Sequence, residues 1–83
     1  MSLALVYSAA AKKDIEKLDP VVRRRLGKKI LALQSNPLAL AKKLADFKPP
    51  LYRFRVGDYR VIFELGKDKV FILRIGHRSE IYK

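Results

Sequence analysis

The spacing of hydrophobic and polar positions divides the chain into a helical first half and a β-rich second half. A short apolar run over Leu3–Tyr7 ends at the polar Ser8 and predicts a strand. Ser8 is a suitable N-cap for a helix over Ala9–Leu18. Apolar residues spaced i, i+4 and i+7 give that helix its predicted buried stripe, which consists of Ala11, Ile15 and Leu18.

A second helix is predicted from Asp19-Pro20 to about Gln34, because Asp caps helices and proline is tolerated at the first helical position. Gly27 lies in its middle and costs about 1 kcal/mol relative to Ala, so we expect it to pack closely on Ala10 or Ala11. The short joint between the helices predicts an antiparallel hairpin. The apolar face consists of Val22, Leu26, Ile30 and Leu33, and the basic residues facing mostly solvent are Arg23, Arg24, Arg25, Lys28 and Lys29.

The segment that follows the second helix has no clear pattern. Asn36-Pro37 is expected to end the helix. Over residues 38–47 two interpretations stay open: Leu40 and Leu44 share one turn of helix, or the segment is an irregular connection.

Three later segments are rich in aromatic and β-branched residues and predict strands: Leu51–Val56, Tyr59–Leu65 and Lys69–Gly76. Gly57-Asp58 fits a two-residue type II′ turn with glycine first, and residues 66–68 connect the second and third strands. The prediction is one α+β domain over residues 1–83. It comprises an N-terminal strand, an antiparallel two-helix hairpin and a three-stranded antiparallel meander, with the helices packed on one sheet face.

The two-residue turn also fixes the register of the first two meander strands. If Val56 pairs with Tyr59, then Arg55 lies directly opposite Arg60, and side chains alternate between two faces. The face expected beneath the helices carries Tyr52, Phe54, Val56, Tyr59, Val61 and Phe63, joined by Phe71, Leu73 and Ile75. The other face carries Arg53, Arg55, Arg60, Glu64 and Arg74.

Facing arginines repel and weaken a sheet by a few tenths to about 1 kcal/mol, so folding alone gives no reason for the pair. A guanidinium can bind a phosphate through two parallel hydrogen bonds. The pattern therefore predicts that Arg53, Arg55 and Arg74 bind phosphate together with Arg60. An ordinary solvated outer face is the alternative.

The composition favours an anionic partner. The formal net charge is +11 on 83 residues, spread almost evenly between the two halves of the chain. With no Cys and one His, the sequence excludes disulfides, thiolate zinc sites and cysteine nucleophiles, and it argues against a His-rich metal site. No apolar run reaches the length of a membrane span, and the first residues lack a basic leader, so we expect a cytoplasmic protein without a membrane partner.

Three stretches of the β-rich half stand out: LYRFRVGDYRVIFE from Leu51, VFILRIGHR from Val70 and EIY from Glu80. Together with DIEKL in the first helix and the basic second helix, they resemble the RelE/ParE superfamily of toxin–antitoxin toxins. The resemblance covers essentially the whole chain and implies a RelE-like fold. For RelE-like members it implies a ribosome-dependent endoribonuclease that cuts mRNA in the ribosomal A site and needs no metal or cofactor.

In the chemistry that this resemblance implies, a ribose 2′-hydroxyl attacks the adjacent phosphate and leaves a 2′,3′-cyclic phosphate and a 5′-hydroxyl. Such a reaction needs a base, an acid and positive donors. The implied partners are an acidic, partly helical antitoxin that covers the basic face, and mRNA on the ribosome with contacts to 16S rRNA. The toxin–antitoxin complex is expected to bind operator DNA.

The resemblance also assigns roles to residues. Arg60 matches the strand arginine that contacts the scissile phosphate, Arg78 the arginine of the last strand, and Tyr82 the C-terminal tyrosine that stacks on an mRNA base. Arg53 and Arg55 stand where RelE has two catalytic lysines. Because an arginine stays charged, these two suit phosphate binding better than proton transfer.

The general base is open at this point. Histidine exchanges protons near neutral pH, and a Glu and a His share acid–base work in related toxins, so Glu64 and His77 are candidates. Alternation, however, puts His77 in phase with Leu73 and Ile75 rather than with the arginines, and Glu64 could instead form a salt bridge to an arginine.

Three functions follow as hypotheses. The first is the ribosome-dependent mRNA endonuclease, which Arg60, Arg78 and Tyr82 favour. The second is a ParE-like inhibitor of DNA gyrase without nuclease activity. The third is a binding module that acts only with an antitoxin on operator DNA.

Overall fold

The structure, a computed structural model, describes residues 3–44 and 48–80. These residues form a five-stranded sheet with strand order β1-β5-β4-β3-β2 and short helices that pack on one of its faces. The elements in chain order are β1 (Ala4–Tyr7), α1 (Ala9–Glu16), α2 (Pro20–Leu31), a single 3₁₀ turn (Ala32–Gln34), α3 (Pro37–Leu40), β2 (Ala41–Leu44), β3 (Leu51–Val56), β4 (Tyr59–Leu65) and β5 (Lys69–His77).

The α+β class is confirmed, but the predicted order of elements is incomplete. Strand β1 pairs in parallel with β5, from Ala4 opposite Lys69 to Tyr7 opposite Ile72. The chain between these two strands, which includes the helices and the other three strands, supplies the crossover that a parallel pair needs. Neither interpretation of residues 38–47 is correct for the part that the structure describes, which forms α3 and then β2, an edge strand antiparallel to β3. Residues 45–47 lie outside the described ranges.

Both predicted helix caps are confirmed. The Ser8 Oγ accepts the Ala11 N–H at 3.0 Å and begins α1, while an Asp19 carboxylate oxygen accepts the Val21 N–H at 3.0 Å and begins α2. The expected role of Gly27 is wrong, because a Cβ there would meet nothing within 4 Å. The small residue at this position therefore does not serve a close contact with α1.

The β3–β4 register is confirmed pair by pair, with Val56 opposite Tyr59 and Arg55 opposite Arg60. The connecting turn works because Gly57 has a φ of 58°, in the left-handed region that glycine adopts without a steric penalty.

Strand β5 departs from simple alternation. Ile62 lies opposite Arg74 and Phe63 opposite Ile72, so Leu73 is an extra residue that forms a β-bulge. Beyond the bulge the side chains change phase. The expectation that Phe71 and Leu73 belong to the buried face is therefore wrong, since both are only half-buried and the buried residues of β5 are Val70, Ile72 and Ile75.

The hydrophobic core lies between the helices and one sheet face. The rings of Tyr52 and Phe63 stack there with centroids 5.5 Å apart. The buried residues of this core are Ala11, Leu26, Ile30, Leu33, Phe54, Val56, Val61, Phe63, Val70, Ile72 and Ile75. None of the helices in the described ranges has the length and apolar content to cross a membrane. The opposite sheet face lies outside this cluster and carries the buried Ile62 together with charged side chains.

Candidate anion-binding site

Arginines gather on the sheet face opposite the helices. The arginine face is defined here by Arg53 and Arg55 of β3 and Arg60 of β4. Arg55 pairs directly with Arg60, and Arg53 pairs with Lys42 of β2 on its other side. Paired residues of an antiparallel sheet bring their Cβ atoms within about 5 Å, so cationic groups on three neighbouring strands form one patch.

Arg60 is buried, with only 7% of its surface exposed. Its Nη1 donates to the carbonyl oxygens of Gly57 and Tyr59, each at 3.1 Å, while its Nε has no hydrogen-bond partner in the described part of the chain. No carboxylate within residues 3–44 and 48–80 forms an ion pair with it. An uncompensated buried cation is costly, and an incoming anion would relieve that cost.

The rest of the arginine face is more open. Arg55 is exposed and Arg53 half-buried, and both line a small cleft of about 130 Å³ with Leu40 and Lys42. Lys42 was not predicted from the sequence, because the short β2 has no alternation of hydrophobic and polar residues that would mark it as a strand.

Two further cations lie beside this face. Arg25 and Lys29 of α2, assigned to open solvent from the sequence, line a cleft of about 390 Å³ together with Arg55. An Nη2 of Arg25 lies 4.0 Å from the place where a Cβ on Gly57 would be. The helix periodicity marks both residues as exposed, but only the packing of α2 beside the β3–β4 turn brings them near the arginine face.

Arg74 lies opposite Ile62, on the sheet face that the sequence predicts for it, but its guanidinium turns toward α1. Its Nε and Nη2 donate to the two carboxylate oxygens of Asp14 at 2.9 and 3.2 Å. The same carboxylate accepts the Ile75 N–H at 2.8 Å, at the edge of β5 beyond the end of β1. Arg74 is therefore tied to the helix layer instead of joining the arginine face.

Opposing effects act on the pKa of Asp14. Desolvation by burial would raise the pKa, but the hydrogen bonds from Arg74 and the Ile75 N–H, with the positive charges of Arg74 and Lys17, outweigh it. The net pKa of Asp14 is lowered, so the carboxylate stays ionised and holds both donors.

Glu64 lies on the same sheet face as the arginines, opposite Leu51 and Phe71, and is half-buried. The alternative of a salt bridge from Glu64 to an arginine is not seen: the ion pairs between described residues join Asp14 to Arg74 and Asp58 to Arg78. In those same ranges, no three His, Asp or Glu side chains lie close enough to hold a metal ion together.

His77 ends β5 on the helix side of the sheet, opposite Tyr59, as alternation with Ile75 predicts. The two rings meet edge to face, with centroids 5.5 Å apart and an interplanar angle of 85°. The His77 Nδ1 accepts the Ser79 N–H at 3.2 Å and lies 2.8 Å from the Ser79 Oγ. The structure thus does not bring His77 to the arginine face.

Arg78 begins the turn after β5 and is anchored to the β3–β4 turn. Its N–H donates to the Asp58 carbonyl at 2.7 Å, and its Nε lies 4.0 Å from an Asp58 carboxylate oxygen. The preceding residue of that turn, Gly57, accepts the Nη1 of Arg60. One tight turn therefore positions both arginines, while Tyr82, the remaining candidate, lies outside the described residues.

The sequence is similar to known toxins over nearly its whole length. The family described as ParE toxin of type II toxin-antitoxin system, parDE, matches residues 5–82. Toxin RelE3 of Methanocaldococcus jannaschii is 29% identical over an alignment of 84 positions, which covers 96% of each chain.

Solved structures give the same picture. The RelBE2 toxin–antitoxin complex from Mycobacterium tuberculosis matches with a TM-score of 0.86 and 25% identity, over 94% of this chain and 100% of that one. The archaeal RelE–RelB complex from Pyrococcus horikoshii OT3 matches with a TM-score of 0.78 and 29% identity, over 96% and 99% of the two chains.

Proposed function

Because the chain belongs to the RelE/ParE superfamily of type II toxin–antitoxin toxins, we propose that it is a ribosome-dependent endoribonuclease that cuts mRNA in the A site. The observation that carries the proposal is the buried Arg60, whose Nε has no partner in the described chain, directly opposite Arg55. Such a pair costs stability in the free protein and suits the transient charge of a phosphate under attack.

In the proposed reaction the 2′-oxygen of a ribose forms a bond to the adjacent phosphorus while the bond from phosphorus to the 5′-oxygen breaks. The 2′-hydroxyl loses its proton, and the departing 5′-oxygen gains one. The products are a 2′,3′-cyclic phosphate and a 5′-hydroxyl. No oxidant, reductant or metal takes part in this balance.

The proposed roles follow from the positions of the side chains. Arg60 and Arg55 stabilise the negative charge of the pentacoordinate phosphorus, and Arg53 binds a neighbouring phosphate. Arg78, anchored to the same turn as Arg60, binds at the leaving group. Glu64 is the proposed proton acceptor, because it shares the sheet face with these arginines and forms no ion pair in the described ranges. Tyr82 is proposed, from family resemblance alone, to stack on a base.

We also propose a cognate antitoxin as the partner that neutralises the chain. The similar structures from M. tuberculosis and P. horikoshii are complexes of toxin with antitoxin. With a net charge of +11, this chain favours an acidic segment that covers the arginine face. Contacts to 16S rRNA, and binding of the complex to operator DNA, belong to the same proposal.

The test compares Arg78→Ala with Lys67→Ala. Arg78 is 65% exposed in its side chain, so its removal should leave the fold intact, and Lys67 is an exposed cation in the β4–β5 turn at the other end of the sheet. We expect Arg78→Ala to lower cleavage of ribosome-bound message in a translation extract by about 100-fold or more and to abolish growth arrest. Lys67→Ala should stay within about threefold of the parent. Equal cleavage by the two variants would remove Arg78 from the proposed site.

A further inference from the structure

The turn that carries Arg78 is closed by an imidazole. The His77 Nδ1 accepts the N–H of Ser79, the residue two positions later, and lies 2.8 Å from its Oγ. The Glu80 N–H closes the same turn on the His77 carbonyl at 2.9 Å. This is the arrangement that Asn and Asp side chains make in an Asx-turn, with a ring nitrogen in place of the oxygen.

A nitrogen that accepts a backbone N–H carries no proton of its own, so the neutral ring holds its proton on Nε2. The ring itself lies edge-on to Tyr59, on the helix side of the sheet. Charged groups around it line the same cleft of about 390 Å³: Asp14, Lys17, Arg74 and Glu80. A phosphate bound on the arginine face would lie across the sheet from this ring, beyond hydrogen-bond reach of a proton carrier.

Arg78 follows the last residue of β5 and begins the turn that the imidazole closes. Its Nε lies 4.0 Å from a carboxylate oxygen of Asp58, in the β3–β4 turn that also holds Arg60. The Arg78 N–H is held in addition by the Asp58 carbonyl. Fixing this backbone removes conformational freedom that Arg78 would otherwise lose on binding an anion.

We propose that His77 is a positioning residue: its Nδ1 closes the turn that orients Arg78, and its imidazole transfers no proton. The inference rests on the proposed function for the role of Arg78, whereas the turn itself can be tested without RNA.

Two substitutions separate positioning from proton transfer. His77→Asn keeps an acceptor oxygen at the place of Nδ1, whereas His77→Gln moves that oxygen one carbon farther and cannot close the same turn. Neither amide exchanges protons as an imidazole does, and both lose the ring contact with Tyr59. We expect His77→Asn to cleave ribosome-bound message within about threefold of the parent and His77→Gln to lose about tenfold or more. Equal losses in both variants, of about 100-fold, would show proton transfer and overturn the proposal.

The second readout is NMR of the full chain and the two variants. We expect the imidazole nitrogens of the parent to show Nε2 protonated and Nδ1 free, and the Ser79 amide to exchange with water about fivefold or more faster in His77→Gln than in the parent or His77→Asn. Equal Ser79 exchange in all three proteins overturns the proposal whatever the cleavage assay gives. If exchange follows the expected order but none of the proteins cleaves message, the turn is confirmed and the nuclease proposal fails instead.

Discussion

Arg60 combines three properties on β4, the central strand of the sheet. It is buried, it faces Arg55 across the strand pair, and one of its guanidinium nitrogens has no partner within the described ranges. The two carbonyl bonds to its Nη1 fix the side chain without neutralising its charge. Its position opposite Arg55 could be predicted from the two-residue turn, but its burial could not, because burial depends on what packs around the strand.

Asp14 forms an ion pair with Arg74 that sequence patterns did not reveal. Its carboxylate joins residues 60 and 61 positions away, Arg74 and the Ile75 N–H, and only the packing of α1 against β5 brings them together. The spacing of apolar residues in α1 alone marks Asp14 only as a solvent-facing residue. The same contact explains why Arg74 does not join the arginine face.

The ion pair between Asp14 and Arg74 predicts that the protein loses stability in acid. A lowered pKa in the folded state gives Asp14 a contribution that is complete above its ordinary pKa of 3.8 and is lost as the pH falls through the lower folded value. We expect Asp14→Asn to lower the free energy of unfolding by about 1–2 kcal/mol at about pH 6, and by less at about pH 2.5. Denaturant unfolding at both pH values measures this.

Asp68→Asn is the control for that experiment, since Asp68 is an exposed residue of the β4–β5 turn. A destabilisation by Asp14→Asn that is the same at both pH values would mean that the ionised carboxylate is not what holds Arg74 and the Ile75 N–H.

The helix starts and the β3–β4 turn lie where the sequence predicts them, because the local sequence signals there are strong. The caps at Ser8 and Asp19 and the Gly57-Asp58 turn are determined by side-chain chemistry within a few residues, and all three are confirmed. The bulge at Leu73 has no such signal, because Phe71, Ile72 and Leu73 are all apolar and either phase of alternation would bury a hydrophobic residue. At the bulge, the Leu73 carbonyl accepts a hydrogen bond from the Ser8 Oγ at 2.8 Å, and these two residues are 65 positions apart in the sequence.

Gly27 gives a prediction for α2. A Cβ at that position would meet no atom within 4 Å, so Gly27→Ala should raise the free energy of unfolding by about 0.5–1 kcal/mol through the better helix propensity of Ala. Gly57→Ala is the matched comparison and should be destabilising, since the φ of 58° is strained for Ala. Denaturant unfolding of the two variants checks both signs. If Gly27→Ala lowered the free energy of unfolding, the result would indicate the close packing at Gly27 that the sequence suggested.

On the scale of the whole molecule, the hydrophobic cluster and the arginine face lie on opposite sides of the sheet. The helices cover one sheet face, and the other presents Arg53, Arg55 and Arg60, to which Lys42 of the unpredicted β2 adds a further cation. The face assignment could be made from alternation, whereas the parallel β1–β5 pair could not, because no local signal specifies a partner 65 residues away.

This arrangement predicts where an acidic antitoxin binds. We expect Arg55→Glu to weaken binding of the cognate antitoxin by about tenfold or more, with the difference shrinking at high salt, because an exposed cation is replaced by an anion in the patch. Lys67→Glu makes the same change of charge in the β4–β5 turn and should alter affinity by less than about threefold. Calorimetric titration at two salt concentrations measures both. Equal effects would place the antitoxin elsewhere or make its attraction one of net charge alone.

The most direct measurement is the chemistry of the ends that the purified chain leaves on ribosome-bound message, read beside a DNA gyrase supercoiling assay of the same preparation. The proposed role of the arginine face predicts A-site breaks with a 2′,3′-cyclic phosphate on one side and a 5′-hydroxyl on the other, with supercoiling unaffected. Intact message together with a loss of supercoiling would contradict it.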